Sequence, residues 1–143
     1  MITEQILANL YKQIRDFTNI NQQLANALNI SDTAFEIFYY VGFFGEGCTQ
    51  KEICEYTNIA KSSVNSAIKK MQDEEYIYFV RNEGRKDLYL TEKGRRMVRE
   101  NIDPLVTVEL ETVEDMKEEA EILLAHLTKL NESFQDKAGN YEG

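Results

Sequence analysis

The sequence predicts a mainly α-helical fold with a small β-wing: a winged helix-turn-helix core flanked by long terminal helices. Three observations predict it. Apolar residues recur in steps of three and four near both ends of the chain, the mark of amphipathic helices. Two short helical segments joined by a tight turn occupy residues 49–73. Directly after them comes a hairpin pattern, YIYFV and LYL around a polar loop.

Residues 3–28 read as one long helix with a stripe of Ile6, Leu10, Ile14, Phe17, Leu24 and Leu28. Asn21 interrupts the stripe, and Asn29 is a helix stop. Ser31 or Asp32 can cap a second helix with an apolar face of Phe35, Ile37, Phe38, Val41 and Phe44. Gly45 and Gly47 end it in a turn.

Thr49, with Glu52 three residues on, fits a capping box for a short helix that buries Ile53 and Cys54. After a turn with Ile59 pointing inward, a helix from Lys61 places Val64, Ala67, Ile68 and Met71 inside. It leaves Ser62, Ser63, Asn65, Ser66, Lys69 and Lys70 outside. The hairpin that follows carries Arg81, Arg85 and Lys86 at its tip and makes a wing.

Helix resumes at Thr91 with Met97, Val98, Ile102, Leu105 and Val106, and Pro104 should kink or restart it. Thr112 can cap a last helix, where Val113, Met116, Ala120, Leu123, Leu127, Leu130 and Phe134 form a seam that wants a helical partner. KAGNYEG is a tail expected to fray. The organisation is thus 1–30 as an N-terminal dimerisation helix, 31–99 as the winged core, and 100–138 as C-terminal dimerisation helices. A 26-residue helix is about 39 Å long, more than a small winged core can cover, so a homodimer that interleaves the ends is expected.

With 25 acidic and 16 basic residues, the chain has a formal charge of −9. The distribution is uneven. Residues 1–47 carry two basic and five acidic groups, net −3; residues 48–99 carry eleven and eight, net +3; residues 100–143 carry three and twelve, net −9. Screening limits the reach of the terminal carboxylates to about 10 Å at ordinary salt. The winged segment is therefore locally basic, as a DNA-binding face must be.

Other classes find little support. No apolar run approaches the roughly 18 residues of a membrane span, and MITEQILANLYKQ lacks the basic start and apolar block of a signal peptide, so a cytoplasmic protein without a membrane partner is expected. Cys48 and Cys54, six apart, match no zinc or redox spacing, and His126 is the only histidine. No metal, cofactor or catalytic set is indicated. Phosphate loops and nucleophile elbows are missing, and acidic pairs such as Glu74–Glu75 and Glu118–Glu119 fall on helix surfaces.

The TQKEIC helix, the KSSVNSAIKKMQDEEYI helix and LYLTEKG at the wing exit resemble the MarR family of bacterial transcription regulators. The resemblance runs over residues 5–134 and is clearest over 31–99. It implies the order helix, helix, strand, helix, helix, two wing strands, two helices, and a two-fold dimer built from both termini. It also implies repression at a pseudopalindromic operator of double-stranded DNA, often relieved by a small phenolic or lipophilic effector. By position, Ser62, Ser63, Asn65, Ser66, Lys69 and Lys70 fall where the family reads the major groove, and Arg85 falls near its wing arginine. The wing is about one residue shorter than the common pattern, which leaves Arg85 and Lys86 as alternatives. Ser66 stands where many members carry arginine, and Glu75 where glycine is common at the helix exit.

The expected DNA-facing set is Thr49, Gln50, Lys51, Lys61, Ser62, Ser63, Asn65, Ser66, Lys69, Lys70, Arg81, Arg85 and Lys86, with Asn65 the foremost candidate for a base contact. The expected dimerisation set is Ile6, Leu10, Ile14, Val113, Met116, Ala120, Leu123, Leu127 and Leu130. Tyr39, Tyr40, Phe43 and Phe44 cluster near the expected hinge, where core packing is their simplest role. Two rival readings remain: a winged-helix protein-interaction module without specific DNA binding, and a redox sensor using Cys48 and Cys54.

Overall fold

A computed structural model of the protein describes residues 1–140. The chain forms two compact units, Met1–Asp103 and a second beginning at Pro104. The first opens with α1 (Thr3–Ala27). Asn29 stops α1 in the left-handed conformation, at φ +56°. The amide of Ile30 donates to the Ala25 carbonyl and that of Asn29 to Asn26, each at 3.1 Å. These two bonds satisfy carbonyls that a helix end otherwise leaves open.

Ser31 caps α2 (Asp32–Phe44), its Oγ accepting from the Ala34 amide at 3.0 Å. Phe35, Ile37, Phe38 and Val41 of α2 are buried and form the centre of the core. Phe44 does not join them: it is 52% exposed. It is the last residue of the helix and packs against Tyr40, Phe43 and Tyr56 instead. Full burial of each large apolar side chain stabilises by about 1.5–3 kcal/mol, so α2 is the main organiser of this unit.

Against α2 pack α3 (Gln50–Thr57) and α4 (Lys61–Asp73), and on these two rests the wing, β1 (Ile77–Asn82) on α4 and β2 (Arg85–Leu90) on α3. Ile53, Val64, Ile68, Met71, Ile77, Leu88 and Leu90 are the buried contributions, as the periodicity requires. Cys48 is buried too, but Cys54 is only half-buried, and Ile59 is likewise half-buried. The strand expected before α3 is reduced to a single bridge between Cys48 and Leu88. Gly47 and Cys48 still extend the sheet edge through Gly47 N–H to Leu88 O and Leu88 N–H to Cys48 O, both 2.8 Å.

The wing pairs antiparallel from Ile77 opposite Leu90 to Asn82 opposite Arg85. Its loop is only Glu83–Gly84, with φ +49° and +81°. Positive φ at both central residues gives the turn twist that a two-residue hairpin needs. The strands therefore extend further toward the tip than composition indicates.

Thr91 caps α5 (Glu92–Met97), its Oγ1 accepting from Gly94 N–H at 3.1 Å. That hydroxyl also donates to the Glu75 and Tyr76 carbonyls, tying α5 to the exit of α4. A π-turn, Val98–Ile102, follows, with Val98 and Ile102 buried. Asp103 N–H reaches back to the Val98 carbonyl. Pro104, which has no N–H to give, then stands second in α6 (Asp103–Asp115). The proline is thus absorbed where the ladder has already changed register.

The second unit contains most of α6 together with α7 (Lys117–Gly139). Met116, at φ −116° and ψ 32°, breaks the two. Thr112 is no cap: it lies inside α6 and donates its hydroxyl to the Val108 carbonyl at 2.8 Å, a local bond that serine and threonine make within helices. Residues of the expected fraying tail remain helical to Gly139, and its last three, 141–143, lie outside the described residues. No helix among the described residues is long and apolar enough to cross a membrane.

Candidate nucleic-acid interface

The site is built on α3, α4 and the wing. Thr49 and Glu52 form the expected capping box, with Glu52 N–H to Thr49 Oγ1 at 3.2 Å and Thr49 N–H to Glu52 Oε2 at 3.3 Å. This fixes the first turn of α3, which presents Gln50 and Lys51. The α3–α4 turn closes with Asn58 at φ +58°. Ala60 precedes α4 without any side-chain cap, so neither Ser62 nor Ser63 is used in capping. Both are exposed, as are Lys61, Ser66, Lys69 and Lys70.

The outer face of α4 is divided between two hollows. An open cleft of about 580 Å³ between the helix pair and the wing is lined by Thr49, Gln50, Lys51, Cys54, Lys61, Asn65, Phe79, Gly84, Arg85 and Lys86. Four of its lining groups are cationic and none is acidic. Ser62, Ser63, Ser66 and Lys70 instead line a shallower hollow with Ser31 and Thr33. Lys69 and Arg81 are exposed but line neither hollow. Every residue of the expected DNA-facing set is thus at least partly accessible on α3, α4 or the wing.

Three contacts refine that set. Asn65 is half-buried, and its Oδ1 accepts from Gln50 Nε2, which couples the two side chains across the α3–α4 junction. Ser66 turns its hydroxyl back onto the Ser62 carbonyl at 3.1 Å. On the wing, Lys86 Nζ lies 4.5 Å from the centroid of Phe79, a cation–π arrangement that holds the ammonium at the cleft wall.

Arg85 is treated differently from Lys86. Its Nε donates to Asp87 Oδ1 at 3.0 Å, and Glu52 Oε1 stands 3.6 Å from its Nη2. The Asp87 hydrogen bond, then the carboxylate charges of Asp87 and Glu52, raise the Arg85 pKa. Asp87 and Glu52 were outside the expected set. Glu52 is recognisable in sequence only as a cap, and nothing in the spacing brings it to a residue 33 positions later.

Burial, reinforced by the charges of Glu52 and Asp87 and opposed by a backbone hydrogen bond, pushes the Cys48 thiol up to about 11. A thiol of this kind stays protonated and unreactive at neutral pH. Tyr40, Phe43, Phe44 and Tyr56 form a contiguous aromatic group with ring centroids 4.8–5.4 Å apart. Phe43, Phe44 and Tyr56 are exposed, so core packing does not account for them. No cluster of potential metal ligands occurs among the described residues.

Residues 28–86 match the family model described as MarR family. Among curated proteins, none matches the chain. Solved structures do. The chain is similar to NMB1585, a MarR family regulator from Neisseria meningitidis, with TM-score 0.78 and 20% identity over 94% of this chain and 96% of that one. It is similar to MepR of S. aureus in a complex with DNA, with TM-score 0.70 and 21% identity over 93% and 99% of the two chains. A MarR family transcriptional regulator from Listeria monocytogenes complexed with a 26mer DNA gives TM-score 0.66 and 21% identity over 92% and 89%.

Proposed function

We propose, from the match of residues 28–86 to the MarR family model and from the fold shared with MarR family regulators, that the chain is a winged-helix transcriptional regulator of that family and represses transcription as a homodimer on a pseudopalindromic operator. The observation that carries this reading is the cleft between α3–α4 and the wing, whose only charged lining groups are Lys51, Lys61, Arg85 and Lys86. Cations at that density suit a phosphate backbone, and each phosphate neutralised releases about one counterion. The short polar groups of α4, Ser62, Ser63 and Asn65, supply base-edge hydrogen bonds from the first two turns of the helix. Gln50 orients Asn65 for that work.

Dimerisation is supported by unpartnered apolar surface. Ile6, Leu10 and Ile14 on α1 are exposed, as are Val113, Met116, Leu123 and Leu130 in the second unit, with Ala120 and Leu127 half-exposed. Apolar stripes left in water on each of the two units mark association surfaces. Two-fold pairing would set the two copies of α4 about 34 Å apart, one turn of DNA. Relief of repression by a small lipophilic or phenolic effector is the finer part of the proposal, and the exposed aromatic group at Phe43, Phe44 and Tyr56 supports it.

Fluorescence anisotropy with fragments of the protein's own upstream region, titrated over salt, tests the DNA reading. Affinity should fall steeply with salt, and Lys69→Glu or Arg85→Glu should abolish binding. Failure to bind any such fragment would leave the protein-interaction module as the better reading. Sedimentation of the free protein should give a dimer; a monomer would remove the two-fold operator.

A further inference from the structure

Arg85 occupies the first position of β2, opposite Asn82 across the Glu83–Gly84 turn. Strand alternation sets Arg85 and Asp87 on one face, two residues apart. The Asp87 side chain is 12% exposed, so its carboxylate must keep a cation close. Glu52 is different. Its side chain is 44% exposed, that of Arg85 is 54% exposed, and their 3.6 Å pair is of the kind that a competitor in solution can displace. Glu52 also closes the Thr49 capping box through Oε2, while Oε1 faces the arginine. The Gly47 carbonyl, 3.5 Å away, accepts from the same Nη2. One carboxylate therefore links the start of the helix-turn-helix to the wing.

We infer that Glu52 is an affinity-setting residue: in the free protein it holds Arg85 against the domain, and a DNA phosphate must displace it before the wing docks. The inference rests on the reading of the cleft as the DNA face. A phosphate oxygen and Glu52 Oε1 compete for Nη2, whereas Asp87 keeps Nε throughout. Until it is displaced, the Glu52 charge also opposes an approaching phosphate well inside one Debye length. The wing contact is thus conditional, and short polar groups on α4 must favour binding enough to release it. This makes Glu52 a discriminator between full and partial sites.

Glu52→Gln tests the idea cleanly, because glutamine closes a capping box as glutamate does. An unchanged thermal midpoint verifies the fold. DNA affinity should rise about three- to fivefold, the scale of an exposed ion pair, and the salt slope should steepen by about one counterion. In an Arg85→Gln background, the same substitution should change affinity by less than about 1.5-fold, since no latch is left to open. An equal gain in both backgrounds would reduce Glu52 to a generally repulsive charge and overturn the proposal. Weaker binding by Glu52→Gln would overturn it too, by making Glu52 a positioning group that helps the wing.

Exchange of the Arg85 Nη2 protons, the ones that face Glu52, reports on the latch in the free protein without DNA. It should quicken in Glu52→Gln and in Asp87→Asn. If DNA binds but exchange is the same in all three proteins, the latch alone fails. If exchange quickens but no DNA binds, the DNA reading of the cleft fails and the brake with it.

Discussion

Glu75→Gly should stabilise the protein. Glu75 follows the end of α4 at φ +62°, where a side chain crowds the following carbonyl. The helix exit depends on that conformation: Glu75 N–H bonds the Gln72 carbonyl and Tyr76 N–H the Met71 carbonyl, both at 2.9 Å. A left-handed residue with a Cβ costs about 1–2 kcal/mol, and glycine removes the cost. Against this, glycine frees the unfolded chain, at about 0.4–1 kcal/mol. The net gain is about 0.5–1 kcal/mol, or roughly 2–4 °C in a chain of this size. Glu75 is exposed, so no packing is lost, and removing an anion from a helix C-terminus acts in the same direction. The assay is urea unfolding at fixed protein concentration, with Glu74→Gly as the control. Glu74 has φ −84°, so glycine there gains nothing and should cost about 0.5–1 kcal/mol. Equal destabilisation by the two substitutions would refute the reasoning.

Other expectations concern single atoms. Gly94→Ala should unfold or severely destabilise the domain, because a Cβ there would stand 2.1 Å from the Tyr76 carbonyl oxygen; circular dichroism of the purified variant that matches the parent's melting curve would contradict this. With its thiol pushed up to about 11, Cys48 should be only about one-thousandth thiolate at pH 8, so it should alkylate far more slowly than half-buried Cys54. Mass spectrometry after iodoacetamide decides it, and comparable labelling of both would revive the redox reading. The same shift has a sign for stability: the folded thiol keeps its proton while the unfolded one ionises near pH 9. Its contribution is therefore whole below pH 9 and is lost as pH climbs toward 11, which alkaline unfolding of Cys48→Ala beside the parent should expose.

The sequence by itself determined whatever depends on neighbours along the chain. The stop at Asn29, the caps at Ser31 and Thr49, the helix start at Thr91 and the inner face of α4 were all legible because each is set within about one helical turn. Glu75 was legible for the same reason, as a non-glycine residue at a helix exit. The segregation of charge, basic over 48–99 and acidic after it, is a property of composition alone.

Tertiary structure decided what depends on distant partners. Phe44 satisfies the helical period yet faces outward, because the period of α2 does not say which aromatic residues the core has room for. The π-turn before Pro104 and the break at Met116 are adjustments that no cap or spacing announces. Gly94 is required by the Tyr76 carbonyl, 18 residues before it. The cleft itself is a tertiary object, assembled from α3, α4 and β2. So is the engagement of Arg85 by Glu52, since a salt bridge across 33 residues forms only when the core brings capping turn and wing together. Local hydrogen bonding writes helices and turns into the sequence, whereas close packing selects which surfaces meet.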